Sequence, residues 1–268
     1  MSRSRTLERR RQREQEQRRQ RLMIAAVVVV GLAVLGFVLF LIANQPVEAE
    51  IPEDAVALYE GLPQFTTPEG FPGLGDPNAP VQVVEYSSFD CPHCATFHRD
   101  TVPALVERVR AGDIAFIFVP LYGTGGIQNG QGAARAAICA GEQGAFWPYH
   151  STLFAWQSLY ANTAFQGNRL GAAVDALGLN RGEWEACITG DLPDAVTAAA
   201  FAAASAVPGF GGTPSVTVNG ANIPNTLSQI NAAIDQALVS AGVISGGQTA
   251  APAVGEETTP EAADAAGS

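Results

Sequence analysis

The sequence contains no lysine, so all 15 of its basic residues are arginines, and nine of these lie within residues 1–21. Against three glutamates this arm carries a formal charge of +6, whereas the whole chain carries −11, which leaves −17 on the rest. The only basic cluster is therefore the arm itself, and we expect no nucleic-acid partner. Its position beside an apolar run explains it as an orienting segment that contacts lipid head groups.

Cysteine and histidine are also scarce, with four and three copies. Cys91 and Cys94 form one close pair, but Cys139 and Cys187 stand 48 positions apart, so the second close pair typical of a structural zinc site is missing. Position 95, where haem attachment requires histidine, is alanine. We therefore expect no metal and no other cofactor.

A charge-free run of 22 residues, 22–43, follows the arm. As a helix rising about 1.5 Å per residue, it covers a hydrocarbon layer of about 30 Å. The run predicts one transmembrane helix, a signal-anchor, with the arginine-rich arm in the cytoplasm and the acidic remainder outside the cell membrane. A cleaved signal peptide is the alternative, since Val47-Glu48-Ala49 loosely fits a cleavage site, although such peptides usually have apolar regions of only about 7–15 residues.

The remaining chain divides by composition. Residues 44–62 are acidic and are predicted to form a stalk with little to bury. Residues 246–268 are rich in alanine, proline, glycine, threonine and glutamate, which predicts a disordered tail. Residues 63–245 lie between them and are long enough for one folded domain with its own core.

The order of predicted elements in this domain indicates an α/β fold. Two β-branched runs, 81–86 and 113–119, predict buried strands, and residues 92–110 between them predict a helix kinked at Pro103. Strand, helix and strand in this order predict a right-handed crossover and a parallel pair. A helical insertion of four or five helices (about 127–206), a strand (215–219) and a closing helix (226–243) complete the domain.

The motif Cys91-Pro92-His93-Cys94 lies where the first strand ends and the helix begins. The unpaired N–H groups of a helix N-terminus favour a thiolate, so the pKa of Cys91 should lie below the usual value of about 8.5. A protonated His93 would lower it further, and Cys94, one turn later, should be the buried resolving thiol. This pattern favours a redox-active pair, with a structural disulfide and a metal site as the alternatives.

The residues from Val84 to Cys94 resemble the active-site segment of the DsbA family of bacterial thioredoxin-fold oxidoreductases, and those from Gly212 to Gly220 resemble the family's second signature. The resemblance covers about residues 70–243. It implies a thioredoxin-like fold with an inserted helical subdomain, in which Pro214 follows a cis peptide bond and faces the cysteines. It also implies that the backbone of Thr213 pairs with an extended substrate; an ordinary trans proline is the alternative.

The resemblance also gives expectations for charged residues near the motif. Glu85 aligns with a buried acidic residue that moves protons to and from the resolving thiol, unless it is a solvated charge at the strand end. Asp90 stands where familiar members are apolar, and its charge would oppose formation of the Cys91 thiolate. We expect His98 to be an exposed helix residue and His150 to be a packing residue.

Cys139 and Cys187 fall in the helical insertion. Leftover cysteines in an exported domain usually pair, and similar spacing recurs in relatives with an extra bridge, so a structural Cys139–Cys187 disulfide is expected. Two buried free thiols are the alternative.

These features together predict a membrane-anchored, extracytoplasmic dithiol oxidase that introduces disulfides into reduced exported proteins through Cys91 and Cys94. The resemblance implies a membrane quinone-linked oxidase of the DsbB or vitamin K epoxide reductase kind as its partner. A reductase or isomerase on the same fold is one alternative, and a tethered binding or chaperone module is another.

Overall fold

The protein is described from a computed structural model that covers residues 2–43, 47 and 49–243. The strands are β1 (Gln64–Thr66), β2 (Pro72–Leu74), β3 (Val81–Ser88), β4 (Ile114–Leu121), β5 (Ser215–Val218) and β6 (Ala221–Ile223). The helices are α1 (Ser2–Ala43), α2 (Glu53–Ala57), α3 (Pro92–Asp100), α4 (Val102–Arg110), α5 (Gly130–Gly141), α6 (Phe146–Tyr160), α7 (Gly167–Ala176), α8 (Arg181–Thr189), α9 (Leu192–Ala206) and α10 (Leu227–Ser240). The predicted disordered tail, residues 246–268, lies outside the described residues.

The strands form one sheet in the order β1-β2-β4-β3-β5-β6. β3 and β4 are parallel over their full length, whereas all the other neighbouring pairs are antiparallel. Every residue of β4 is buried, because this strand is central and the sheet is covered on both faces. The predicted β-α-β unit is therefore confirmed, and it forms the centre of the sheet.

Side chains of β3 alternate between two cores. Val81 and Val83 face the larger core, which includes buried residues of α3, α4, α6 and α10, whereas Tyr86 faces the smaller core under α9. Because the side-chain period of a strand is two, Glu85 and Ser87 face the larger core as well. They thus lie on the side of the sheet from which α3 begins.

The helix predicted for residues 92–110 is interrupted at Thr101, where α3 ends and α4 begins. Pro103 lies in the first turn of α4, where its missing N–H would have no partner inside the helix. The predicted kink is therefore confirmed as a break between two helices.

The helical insertion comprises five α-helices, α5 to α9, and a short 3-10 turn at Ala161–Thr163. A disulfide between Cys139 and Cys187 joins α5 to α8. The insertion reaches the active site through α6, whose inward face packs against α3.

Residues 49–62, which were predicted to belong to a stalk with little to bury, are partly packed against the domain. Ala55 and Tyr59 are buried in the domain, and the indole N–H of Trp156 donates to the carbonyl oxygen of Glu50 (2.7 Å). The acidic composition of this segment concealed its apolar residues, which dock α2 against α6.

Among the described residues, one helix segment is long and apolar enough to span a membrane. It runs from Gln17 to Ile42, and its most apolar 18-residue stretch has a mean hydropathy of 3.1 and is not buried against the rest of the protein. This segment lies within α1, which also includes most of the arginine-rich arm.

Candidate active site

Cys91 precedes the first turn of α3, with Pro92 at the first helical position. Its thiol donates a weak hydrogen bond to the carbonyl oxygen of Thr213 (3.5 Å). A hydrogen bond from the Cys94 thiol lowers the pKa of Cys91 most, and Thr213 and the backbone N–H groups of Cys94 and His93 lower it further, to about 5. Cys91 is therefore poised as a thiolate, as its place at a helix N-terminus predicts.

Cys94 is fully buried, whereas Cys91 retains 3% exposure. Burial and the neighbouring Cys91 raise the pKa of Cys94. Both residues are thiols in this structure. The pKa values of the two thiols are thus shifted in opposite directions. Cys91 is suited to act as the nucleophile, and Cys94 is suited to act as a protonated resolving thiol. His93 is exposed, and the group of this residue that lowers the pKa of Cys91 is its backbone N–H.

The second signature lies beside this pair. The Thr213–Pro214 peptide bond is cis, as the resemblance implied. The register of β5 against β3, with Ser215 opposite Tyr86, brings the preceding loop to the end of β3 where the cysteines begin. Gly212 has φ +129°, a backbone conformation that side chains other than that of glycine rarely allow. The turn into this loop therefore requires glycine at position 212.

Glu85 is fully buried, so the alternative of a solvated charge is wrong. Its carboxyl oxygens make no hydrogen bond of ordinary geometry within the part of the chain that the structure describes. Burial raises the pKa of Glu85 to about 8, with a small opposing effect from Ser87. The carboxyl group is therefore protonated at neutral pH and can act as a buried acid.

Ser87 was missed in the sequence analysis. Its hydroxyl is buried and makes no hydrogen bond of ordinary geometry among the described residues, yet it lies close enough to lower the pKa of both Glu85 and Cys94. The residue stands two positions after Glu85, so strand periodicity places both on one face. That spacing is the signal by which Ser87 could have been found.

Gln157, on α6, was also missed. Its side-chain amide donates to the carbonyl oxygens of Phe89 (2.6 Å) and Cys91 (3.3 Å). These bonds fix the backbone that carries the nucleophile. α6 contains several other polar residues, among them Ser151 and Thr152, so no signal in the sequence singles out Gln157.

Asp90 is buried and acts as a hydrogen-bond acceptor. The backbone N–H of Gly123 donates to its carboxylate (2.8 Å), and so does the hydroxyl of Ser88. The sequence analysis considered only the charge of Asp90, because nothing in the sequence connects it with a loop 33 positions away.

The expectation that His98 is exposed is wrong. Its ring stacks on Phe154, with centroids 5.0 Å apart, and meets His150 edge to face at 4.9 Å. His98 lies four positions after Cys94, and therefore on the inward face of α3. Burial lowers the pKa of His98 to about 4 and that of His150 well below its usual range. His150 is fully buried among aromatic rings, so its predicted packing role is confirmed.

Within residues 2–43, 47 and 49–243, no group of three or more histidine, cysteine, aspartate or glutamate side chains is arranged to hold a metal ion. The site brings together two thiols, one buried acid and the backbone around them.

Residues 67–236 match the protein-family model described as thioredoxin. A putative protein-disulfide oxidoreductase of Rickettsia typhi is 30% identical over 167 residues, which span 62% of this chain and 61% of the relative. The match thus extends over about three fifths of the curated relative's length.

Two solved structures share the fold. A thioredoxin-like oxidoreductase from Silicibacter pomeroyi is 26% identical with a TM-score of 0.54, covering 69% of this chain and 97% of that one. The α-DsbA1 of Wolbachia pipientis is 22% identical with a TM-score of 0.54, covering 70% and 98%, and shows likeness of fold. The chain belongs to the thioredoxin family.

Proposed function

We propose that this protein is a membrane-anchored dithiol oxidase that introduces disulfides into exported proteins. The observation that carries the proposal is the opposite perturbation of the two thiols, with the pKa of Cys91 lowered to about 5 and that of Cys94 raised. A stabilised Cys91 thiolate favours the reduced enzyme, so the Cys91–Cys94 disulfide accepts electrons readily from substrates.

In the first step, a substrate thiolate attacks the sulfur of Cys91 and the Cys91–Cys94 bond breaks. Cys94 leaves with the electron pair and receives a proton from Glu85, whose raised pKa keeps it protonated at neutral pH. A second substrate thiolate then attacks the substrate sulfur of the mixed disulfide, and Cys91 leaves as a thiolate. The substrate has lost two electrons to the enzyme and released its two thiol protons to solvent. The enzyme then holds a Cys91 thiolate and a Cys94 thiol, and Glu85 regains its proton from solvent.

The substrate's position follows from the loop beside the pair. The Thr213 carbonyl already lies 3.5 Å from the Cys91 sulfur, and the backbone of this residue would pair with an extended substrate segment. Pro214 shapes this loop through its cis peptide bond. Reoxidation requires an electron acceptor, for which a membrane quinone-linked oxidase, DsbB-like or vitamin K epoxide reductase-like, is the proposed partner.

Placement outside the cytoplasm rests on two observations. The apolar helix segment Gln17–Ile42 follows an arginine-rich arm, which orients such a helix with its N-terminus in the cytoplasm. The Cys139–Cys187 disulfide is typical of an oxidising compartment. A reporter fused after Ser268 should be active only outside the cytoplasm; activity inside would overturn this placement.

The enzymatic proposal is tested with a reduced peptide that carries two cysteines. The oxidised protein should convert it to the disulfide in a 1:1 ratio, and Cys91→Ser should abolish the reaction. Cys94→Ser, mixed instead with the oxidised peptide, should form a mixed disulfide between Cys91 and one peptide sulfur, while the other peptide sulfur leaves as a thiolate. A wild-type protein that leaves the peptide reduced would refute an oxidase, and an equilibrium far toward the oxidised protein would identify a reductase.

A further inference from the structure

An exposed loop borders the active-site turn, and the proposed function gives it no role. This rim loop, residues 122–129, connects β4 to α5, and its centre at residues 123–126 is exposed. Its backbone binds Asp90 at two points, because Gly123 N–H donates to the carboxylate (2.8 Å) and Ile127 N–H donates to the carbonyl oxygen (3.4 Å). The loop is thus attached to the residue directly before the nucleophile.

The rim loop also touches the loop that carries the cis proline. The hydroxyl groups of Thr124 and Thr213 share a hydrogen bond of 2.6 Å. Thr213 in turn accepts the hydrogen bond from Cys91. The rim loop therefore contacts both structures between which the proposed substrate segment binds.

Gly125 lies directly on the backbone of the active-site turn. A β-carbon added there would lie 1.8 Å from the carbonyl oxygen of Asp90 and 2.6 Å from the α-carbon of Cys91. The next residue, Gly126, has no atom within 4 Å of such a carbon. This contrast shows that the loop is seated on the Asp90–Cys91 peptide at one glycine and open at the other.

We propose that Asp90 is a positioning residue whose carboxylate clamps the rim loop onto the active-site turn, and that the clamped loop forms one wall of the cleft that binds the substrate peptide. Three of its eight residues are glycines, so the free loop would have many conformations to lose on binding. The carboxylate holds it in one arrangement before the peptide arrives. The wall contains no charged side chain, which suits an uncharged peptide backbone rather than a particular charge.

The inference rests on the proposed function for its substrate, and a matched glycine pair tests it. Gly125→Ala should push the loop from the turn, whereas Gly126→Ala should not. In a turnover assay with the two-cysteine peptide, in which glutathione disulfide reoxidises the enzyme, Gly125→Ala should raise KM about three- to tenfold with little change in kcat, the size expected for losing one or two hydrogen bonds. Gly126→Ala should keep the wild-type hydrogen exchange of residues 122–129. The activity control is Gly167→Ala at the start of α7, where an added β-carbon also meets no atom within 4 Å, and it should keep the wild-type KM.

Replacements of Asp90 separate the clamp from the charge. Asp90→Ala should raise KM as Gly125→Ala does, whereas Asp90→Asn should retain the wild-type KM because its amide oxygen can still accept from Gly123. Asp100→Asn, an exposed carboxylate paired with Arg99 on α3, is the control and should change nothing. Equal KM values for Asp90→Ala and Asp90→Asn would overturn the clamp.

Hydrogen exchange of residues 122–129 gives a readout that does not depend on activity. Exchange should accelerate in Gly125→Ala and Asp90→Ala and stay unchanged in the controls. If Asp90→Ala fails to fold, the glycine pair decides the question, and equal exchange in both glycine variants would refute the inference. If the wild type fails to oxidise the peptide, the proposed function falls, while the exchange comparison still decides whether Asp90 holds the loop.

Discussion

Replacement of Glu85 by glutamine keeps the shape of the buried side chain and removes its titration. Burial raises the pKa of Glu85 from 4.5 to about 8, so the folded protein holds one more proton than the unfolded chain between these two values. Because stability falls with rising pH wherever the folded state binds more protons, the carboxyl group destabilises the domain increasingly as pH rises from 4.5 to 8.

The size of the effect follows from the shift. One pKa unit corresponds to about 1.36 kcal/mol, so the carboxyl group costs about 3 kcal/mol at pH 7 and about 5 kcal/mol once pH has passed 8. Whole domains are stable by only about 5–15 kcal/mol, so such a slope is measurable. Glu85→Gln should therefore gain on the wild type by several kcal/mol between pH 5 and pH 8.

Urea unfolding of the oxidised proteins at pH 5, 6, 7 and 8 measures this gain, because the cysteines of the oxidised form do not titrate. Contributions from the histidines cancel between variant and wild type. The control is Glu69→Gln, at an exposed position, which should run parallel to the wild type. A constant difference between Glu85→Gln and the wild type at all four pH values would refute a buried, protonated carboxyl group.

Three further predictions concern other groups. The lowering of the Cys91 pKa from 9.0 to about 5 stabilises the reduced protein fully above pH 9, and this contribution is lost as pH falls toward 5. The melting temperature of the reduced protein should therefore rise relative to that of the oxidised protein between pH 5 and pH 9, and a constant difference would contradict a perturbed thiol. Burial lowers the pKa of His98 from 6.5 to about 4, so the free energy of unfolding should decrease as pH falls through this range. His98→Phe should therefore make the free energy of unfolding less dependent on pH between 6.5 and 4. Replacing Cys139 and Cys187 together by serine should cost about 4 kcal/mol in urea unfolding, from the chain entropy of a 48-residue loop, whereas alkylation of both in unreduced wild type would show that no bridge forms.

The central part of the fold could be predicted because its signals are local. The β-branched runs of β3 and β4, with a helix between them, specify a parallel pair without knowledge of the rest of the chain. β1 and β2 gave no such signal, since three-residue strands form only because neighbouring strands supply their hydrogen bonds. The docking of α2 could not be predicted for a related reason, because the burial of its apolar residues depends on the surface that α6 presents.

The residues of the site also divide into those that local sequence predicts and those that depend on distant contacts. Cys91 and Cys94 are recognisable because their chemistry depends on spacing and on a helix start, both of which are set by consecutive residues. Pro214 was expected only from the resemblance of residues 212–220 to a family signature. His98 was misjudged because the inward face of a nine-residue helix is fixed by what packs against it, here the ring of Phe154. Gln157 acts on Cys91 from 66 positions away, which no local pattern reveals.

The charge of Asp90 alone does not explain the role of this residue. A carboxylate beside a thiol opposes its ionisation, yet the pKa of Cys91 falls to about 5, so the Cys94 thiol, Thr213 and the backbone N–H groups outweigh whatever Asp90 adds. Its electrostatic effect therefore does not explain its presence. Its hydrogen bonds do, because burying a carboxylate requires donors, and the donors here are the hydroxyl of Ser88 and the N–H of Gly123 in the rim loop. Asp90 thus holds the rim loop beside the nucleophile through the hydrogen bond from Gly123.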